Sequence, residues 1–215
     1  LSEGQREPEI NGLWCRRRSE IHGNGRVEIS STLDQLGSPG WELYAPAGID
    51  KFCEPLPVVG QRGCPFSCTY CDRPALGKNF RARSPENVIE ELKQCVSLGI
   101  QEFNIFDDTF TVDRKRAVAI CKQIISEGLD IRWACRSRVH LVNPEILKWM
   151  KRAGCGRISY GIETASDRIG KIIQKGANVR QAAEAIKMTK DAGIEVLGDF
   201  ILGSPTETPH ELEET

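Results

Sequence analysis

The chain has 215 residues, of which 40% are hydrophobic and 27% charged, enough apolar material to bury a core and the wrong balance for a disordered or collagen-like sequence. Twenty-nine Lys and Arg stand against thirty Asp and Glu, a net charge of −1, which excludes the basic footprint of a general nucleic-acid binder; the short Arg16-Arg17-Arg18 run does not restore it. No apolar stretch approaches the roughly 18 residues of a membrane span. The N-terminus also lacks the basic-then-apolar plan of a signal peptide, so a soluble, cytoplasmic protein is expected.

The nine cysteines are an odd number and fall short of the roughly 8–10% typical of a disulfide scaffold. In a reducing compartment they are core filler, nucleophiles or metal ligands. The sequence starts at Leu1 without Met and stops at Thr215 inside what reads as a helix start, so a piece of a longer protein is expected.

In chain order, residues 1–57 read as a lead-in, with Gly23-Asn24-Gly25 as a hairpin turn, Ser38-Pro39-Gly40 as a break, and Trp14, Trp41 and Tyr44 available to seat the segment. A first strand falls near Leu56–Gly60. Helix starts follow at Ser84-Pro85, Asp113, Asn143-Pro144, Asn178 and Thr208-Pro209, each an N-cap oxygen and three of them with Pro at the first helical position. Gly99, Gly128, Gly154 and Gly193 stand where helices stop, with an apolar residue behind each. Further strands are expected at 102–106, 131–135, 157–162 and 196–202. Strand–helix alternation predicts an α/β fold of parallel strands, a partial (β/α)6 TIM-like barrel of about five βα units spanning 58–215 and ending one unit short; a mixed α+β fold is the alternative.

The sharpest signal is Gly63-Cys64-Pro65-Phe66-Ser67-Cys68-Thr69-Tyr70-Cys71, a C-x3-C-x2-C run directly after the first strand. Three thiolates on one loop can each bind one iron of a [4Fe–4S] cube and leave a fourth iron open. Tyr70 supplies a flat apolar surface beside the last Cys. Zinc sites pair C-x2-C units with a partner pair, and no such pair is visible. Parallel α/β folds gather ligands at the carboxyl ends of their strands, which puts the cysteine loop, Asp107-Asp108, Arg136 and Arg138, Glu163-Thr164 and Gly203-Ser204 on one rim. Cys95, Cys121, Cys135 and Cys155 fall on candidate buried faces, while Cys15 and Cys53 are ambiguous.

The cysteine run resembles that of the radical S-adenosylmethionine (SAM) superfamily. The likeness continues through Arg83-Ser84-Pro85-Glu86, Phe106-Asp107-Asp108-Thr109-Phe110, Arg138, Gly161-Ile162-Glu163-Thr164, Lys175-Gly176 and Gly203-Ser204-Pro205-Thr206-Glu207-Thr208 toward the cobalamin-linked branch. Ile10-Asn11-Gly12-Leu13-Trp14 and Pro39-Gly40-Trp41-Glu42-Leu43 are similar to the segment that joins an upstream cobalamin-binding domain to the barrel, although Gly40 and Glu42 stand where Ala and Asp are commoner. The resemblance implies a [4Fe–4S] cluster on Cys64, Cys68 and Cys71 that cleaves SAM reductively to a 5′-deoxyadenosyl radical. It implies SAM contacts from Phe66, Tyr70, Asp107 or, more so, Asp108 toward the ammonium, Arg138 toward the carboxylate, Glu163 and Thr164 toward the ribose or ammonium, and Gly203 by backbone approach. It also implies cobalamin held by a domain upstream of Leu1, methyl transfer or oxidative cyclisation of a small or lipid-like substrate, and a low-potential flavodoxin or ferredoxin as electron donor. No nucleic-acid partner is expected. The alternatives are a tRNA methylthiotransferase-like enzyme of the same superfamily, an electron-transfer iron–sulfur protein, and a non-catalytic scaffold.

Overall fold

The computed structural model of the chain describes residues 11–23, 25, 29–43, 55–72 and 79–215. It divides into two units, Leu1–Ser31 and Thr32–Thr215. The first carries an antiparallel hairpin of β1 (Trp14–Arg17) and β2 (Glu20–Gly23). The hairpin turns at Arg18-Ser19, where Arg17 pairs with Glu20 and Arg18 takes φ +53; of the turn expected at Gly23-Asn24-Gly25, Asn24 lies outside the described residues. Gly23 is a strand residue opposite Trp14, whose ring covers it so closely that a Cβ would lie 2.9 Å away.

In the second unit, β3 (Leu56–Val58), β6 (Glu102–Ile105), β7 (Arg132–Ser137), β8 (Cys155–Glu163) and β9 (Glu195–Phe200) form one parallel sheet in that order. Between them run α1 (Pro85–Ser97), α2 (Arg114–Ser126), α3 (Pro144–Arg152) and α5 (Val179–Asp191), and α6 (Pro209–Glu214) follows β9. The fold is therefore α/β with five parallel strands, as expected; β3 and β9 are its edges and the described sheet is open. Three elements were not foreseen: a two-stranded ribbon of β4 (Gln61–Arg62) and β5 (Arg81–Ala82), and the one-and-a-half-turn α4 (Asp167–Ile172), capped by Ser166.

Local chemistry explains the boundaries. Ser84, Asp113, Asn143, Asn178 and Thr208 each accept a hydrogen bond from the backbone N–H three residues on, satisfying a donor the helix cannot use. Gly154 turns the chain from α3 into β8 at φ +91, with its α-carbon so near the Ile131 carbonyl that a Cβ would sit 2.0 Å from that oxygen.

The core lies between one face of the sheet and the helices. Phe103, Ile105, Trp133, Cys135, Ile158 and Tyr160 meet Leu92, Cys95, Ile120, Cys121, Ile146 and Met150, every one of them 2% exposed or less. The four cysteines expected to be buried, Cys95, Cys121, Cys135 and Cys155, are buried and free. Burial pushes the Cys95 thiol up to about 12 and raises those of Cys121 and Cys135 as well; all four cysteines pack as small hydrophobes. Residues 32–43 pack on α1: Leu33 is buried, Trp41 Nε1 donates to Glu91 Oε1 at 2.8 Å, and Asp34 accepts from the Ser84 amide at 2.9 Å. Trp14 is 68% exposed, and Tyr44 lies outside the described residues. No described helix is long and apolar enough to cross a membrane.

Candidate active site

Alternation along the strands decides which side chains reach the site. Phe103, Ile105 and Asp107 share the helix-facing side, so the acidic pair splits: Asp107 is 1% exposed while Asp108 lines a cavity of about 430 Å³ on the other side. Asp107 works beneath the cysteine loop. Its Oδ1 accepts from the amides of Gly60 and Gln61 at 2.6 and 2.8 Å, and its Oδ2 stands 3.8 Å from Arg116 Nη1. Arg116 in turn donates to the carbonyls of Gly60 and Arg83 at 2.8 and 2.7 Å, and Arg83 pairs with buried Glu91. Gln61 Nε2 reaches the Thr109 carbonyl at 2.5 Å. This polar network fixes the chain three residues before Cys64. Burial pushes the Asp107 carboxyl up to about 6, against the pull of Arg116 and the two amides.

Cys64, Cys68 and Cys71 all line the 430 Å³ cavity, with Phe66 and Tyr70 between them. Cys68 is 5% exposed, and the Cys71 amide turns back onto the Cys68 carbonyl at 3.3 Å. Arg138, one residue past β7, is 6% exposed. Its Nη1 donates to Cys68 Sγ at 3.1 Å and its guanidinium lies over the Phe66 ring at 4.0 Å, whose edge meets His140. Its Nε is buried without a partner, and among the described residues no carboxylate pairs with it. The cation next to His140 and the partial burial of that ring lower the imidazole's proton affinity, burial more so.

The opposite wall is built at the end of β8. A register shift between Gly161 and Glu163 puts Glu163 at φ +71, with its side chain folded back over Gly161. A Cβ on Gly161 would lie 2.3 Å from Glu163 Oε1 and 2.7 Å from Lys175 Nζ, so only glycine leaves room for the pair. Glu163 Oε1 accepts from Tyr70 Oη and from Lys175 Nζ, both at 2.8 Å. Partial burial of the Tyr70 hydroxyl, and then the Glu163 charge, push its pKa well above the ordinary phenol value.

Cys64, Phe66, Cys68, Tyr70, Cys71, Asp108, Arg138 and Glu163 therefore surround one cavity. Three expected contacts do not line it. Asp107 is turned into the network described above. Thr164 is buried with its Oγ1 accepting from the Ser166 amide at 3.0 Å, part of the start of α4. Gly203 donates to Glu207 Oε2 at 2.6 Å in a turn beyond β9. Arg136, expected on the same rim, lines the cavity as well, and so do Ser159, Asp199 and Lys175, which the sequence reading did not single out for it. Period-two alternation would have found Ser159 and Asp199, since Ser159, Gly161 and, across the register from Gly161, Asp199 share the open face. Lys175 follows a turn, and no periodicity announces it.

Among the described residues, no three His, Cys, Asp or Glu side chains converge as ligands of a single metal ion. Thiolates that each hold a different iron of a cube need not converge in that way, whereas a structural zinc site requires it.

The radical SAM superfamily pattern matches residues 58–215. An uncharacterized methyltransferase of Pyrococcus horikoshii is 38% identical over all of this chain and 48% of its own length. An anaerobic magnesium-protoporphyrin IX monomethyl ester cyclase of Cereibacter sphaeroides is 33% identical over 96% of this chain and 35% of its own. Among solved structures, the cobalamin-dependent S-adenosylmethionine radical enzyme OxsB, with aqua-cobalamin and S-adenosylmethionine bound, superposes with TM-score 0.81 at 22% identity over 97% of this chain and 32% of that one, a likeness of fold. The chain spans about half, or less, of the length of these relatives. With a family pattern over most of its length and the cysteine run at the mouth of a parallel sheet, the chain belongs to the radical SAM superfamily.

Proposed function

We propose that residues 58–215 are the core of a radical SAM enzyme, with Cys64, Cys68 and Cys71 holding a [4Fe–4S] cluster and the cavity beside them taking SAM. The observation that carries this reading is the convergence of three cysteine thiols with a buried, carboxylate-free Arg138 and a separate acid, Asp108, on one cavity. The residues suit the group: each thiol has its own place on the loop, and the zwitterionic end of SAM finds charges of both signs. When bound, a reduced cluster supplies the electron that cleaves SAM to methionine and a 5′-deoxyadenosyl radical; that chemistry belongs to the cofactors.

The protein's part is to bind, orient and exclude water. Arg138 screens the Cys68 thiolate and keeps an N–H free for the SAM carboxylate. Asp108 faces the ammonium. Glu163 presents its second oxygen to the ribose hydroxyls or the ammonium, and Tyr70 and Phe66 give flat surfaces against the adenosyl group. Asp107, Thr164 and Gly203 act at one remove, by fixing the loops that carry these contacts. An electron donor of low potential, a flavodoxin or ferredoxin, and a cytoplasmic setting complete the reading; the described cysteines, none of them in a disulfide, fit a reducing compartment.

For the whole protein we propose cobalamin-linked methyl transfer or oxidative cyclisation of a small or lipid-like molecule, with residues 1–57 joining the core to a cobalamin-binding domain. The support is that the match to the methyltransferase and cyclase relatives includes this lead-in and that they extend well beyond this chain. The test is anaerobic reconstitution of the full-length protein followed by SAM and dithionite. The proposal expects 5′-deoxyadenosine from the wild type and none from Cys68→Ala; a wild type that loads iron and sulfide yet yields none would overturn it.

A further inference from the structure

We infer that Lys175 is a positioning residue of this cavity: its ammonium locks Glu163 and Tyr70 into one rigid wall against which SAM binds. The inference rests on the function proposed above and adds to it a residue that the cofactor contacts do not require. Lys175 sits in the turn between α4 and α5, between Gln174 at φ +54 and Gly176 at φ +73, with its amide held by the Gly170 carbonyl at 2.9 Å. From there its side chain, 8% exposed, crosses Gly161 and ends 2.8 Å from Glu163 Oε1 and 3.1 Å from Tyr70 Oη.

Three features say that this pair orients rather than merely stabilises. A buried Lys–Glu pair is a poor source of stability, because desolvating both ions consumes most of their attraction. Its geometry is exacting nonetheless: Gly161 has no side chain, Glu163 occupies the left-handed region, and Tyr70 contributes a third bond. Finally, the two donors both engage Oε1, and no described protein group donates to Oε2, which leaves that oxygen for a ligand in the cavity. Removing Lys175 leaves Glu163 held by Tyr70 alone, its charge uncompensated beside a loop of three thiolates, and free to turn.

The same turn supports the cysteine loop independently of the ammonium. The Thr69 amide, between Cys68 and Cys71, donates to the Ile173 carbonyl at 3.0 Å. Substituting the Lys175 side chain leaves that backbone bond in place, so cluster retention and SAM binding are separable.

The experiment measures SAM affinity and iron content in the full chain, reconstituted anaerobically, for the wild type, Lys175→Met, Lys175→Arg, Glu163→Gln, Tyr70→Phe and the Lys175→Met/Glu163→Gln double variant. Lys175→Met should weaken SAM binding about tenfold or more, as truncating one member of a buried charge pair does. Iron per chain should stay at the wild-type level. Because Lys175 acts through Glu163, the double variant should bind no more weakly than the weaker single variant. Lys175→Arg should recover part of the loss, and Tyr70→Phe, which removes one of two donors to Oε1, should cost about threefold and reports on the wall even if Lys175→Met fails to fold. Wild-type affinity in Lys175→Met, losses that multiply in the double variant, iron lost from a folded Lys175→Met, or an unaffected Tyr70→Phe would each overturn the inference. A wild type that takes up iron but does not bind SAM would instead overturn the proposed function.

Discussion

Replacing Asp107 by Ala removes the anchor beneath the cysteine loop without touching the cavity. The substitution orphans the Gly60 and Gln61 amides, now bonded at 2.6 and 2.8 Å, and leaves Arg116 without its carboxylate. An unsatisfied buried donor costs about 1–3 kcal/mol, and breaking a buried ion pair about 3–5 kcal/mol. Arg116 keeps two carbonyl acceptors, and the losses fall on one network, so the terms do not add; about 4 kcal/mol is expected. The penalty should depend on pH. The Asp107 carboxyl is raised from 3.8 to about 6 in the fold, so its proton-linked stability is fully present below the lower value and is lost as pH rises through the upper one. The Ala variant lacks this contribution, and its deficit should therefore be about 1.4 kcal/mol larger at pH 5 than at pH 7.5. Urea unfolding of both proteins at the two pH values measures this. A penalty below about 1 kcal/mol, or one that shrinks on acidification, would refute the assignment of Asp107 to a buried structural network.

Three further substitutions test other parts of the account. Gly154→Ala places a methyl 2.0 Å from the Ile131 carbonyl at φ +91, and thermal unfolding should report a loss of about 3 kcal/mol or more. Gly161→Ala displaces the Glu163–Lys175 pair from above β8; SAM affinity by equilibrium dialysis should fall about tenfold while iron content is kept. Arg138→Lys keeps the charge but loses the planar stack on Phe66 and the fixed donor to Cys68 Sγ. Cluster bleaching in air, followed by visible absorption, should then run severalfold faster than in the wild type.

Much of this was legible in the sequence because it rests on short-range chemistry. Ser84, Asp113, Asn143, Asn178 and Thr208 name their helix starts by supplying an oxygen to an amide three residues away, and a cysteine run needs no tertiary information to be read. What failed to show was decided at longer range. The hairpin's own turn at Arg18-Ser19 has no Gly, Asn or Pro to announce it, and its strands are matched by cross-strand contacts such as Trp14 over Gly23. The resemblance favours Asp108 over Asp107 without excluding either, and strand alternation divides them, sending Asp107 into the core and Asp108 to the cavity; Phe103 and Ile105 carried that signal. Lys175 could not be placed from its own surroundings, since its role depends on two distant segments meeting it, the end of β8 with Gly161 and Glu163 and the cysteine loop with Tyr70. α4 is too short to show a helical period, and Ser166 alone marked it.

The central claim is that the three thiols hold a cluster whose open iron faces a SAM-binding cavity. Electron paramagnetic resonance of the dithionite-reduced, reconstituted full-length protein tests it directly, recorded with and without SAM. The account predicts a [4Fe–4S]⁺ signal that changes in shape and g-values when SAM is added, and that is absent from Cys64→Ala, Cys68→Ala and Cys71→Ala. A reduced cluster whose spectrum does not respond to saturating SAM, or a cluster that persists in all three variants, would contradict it.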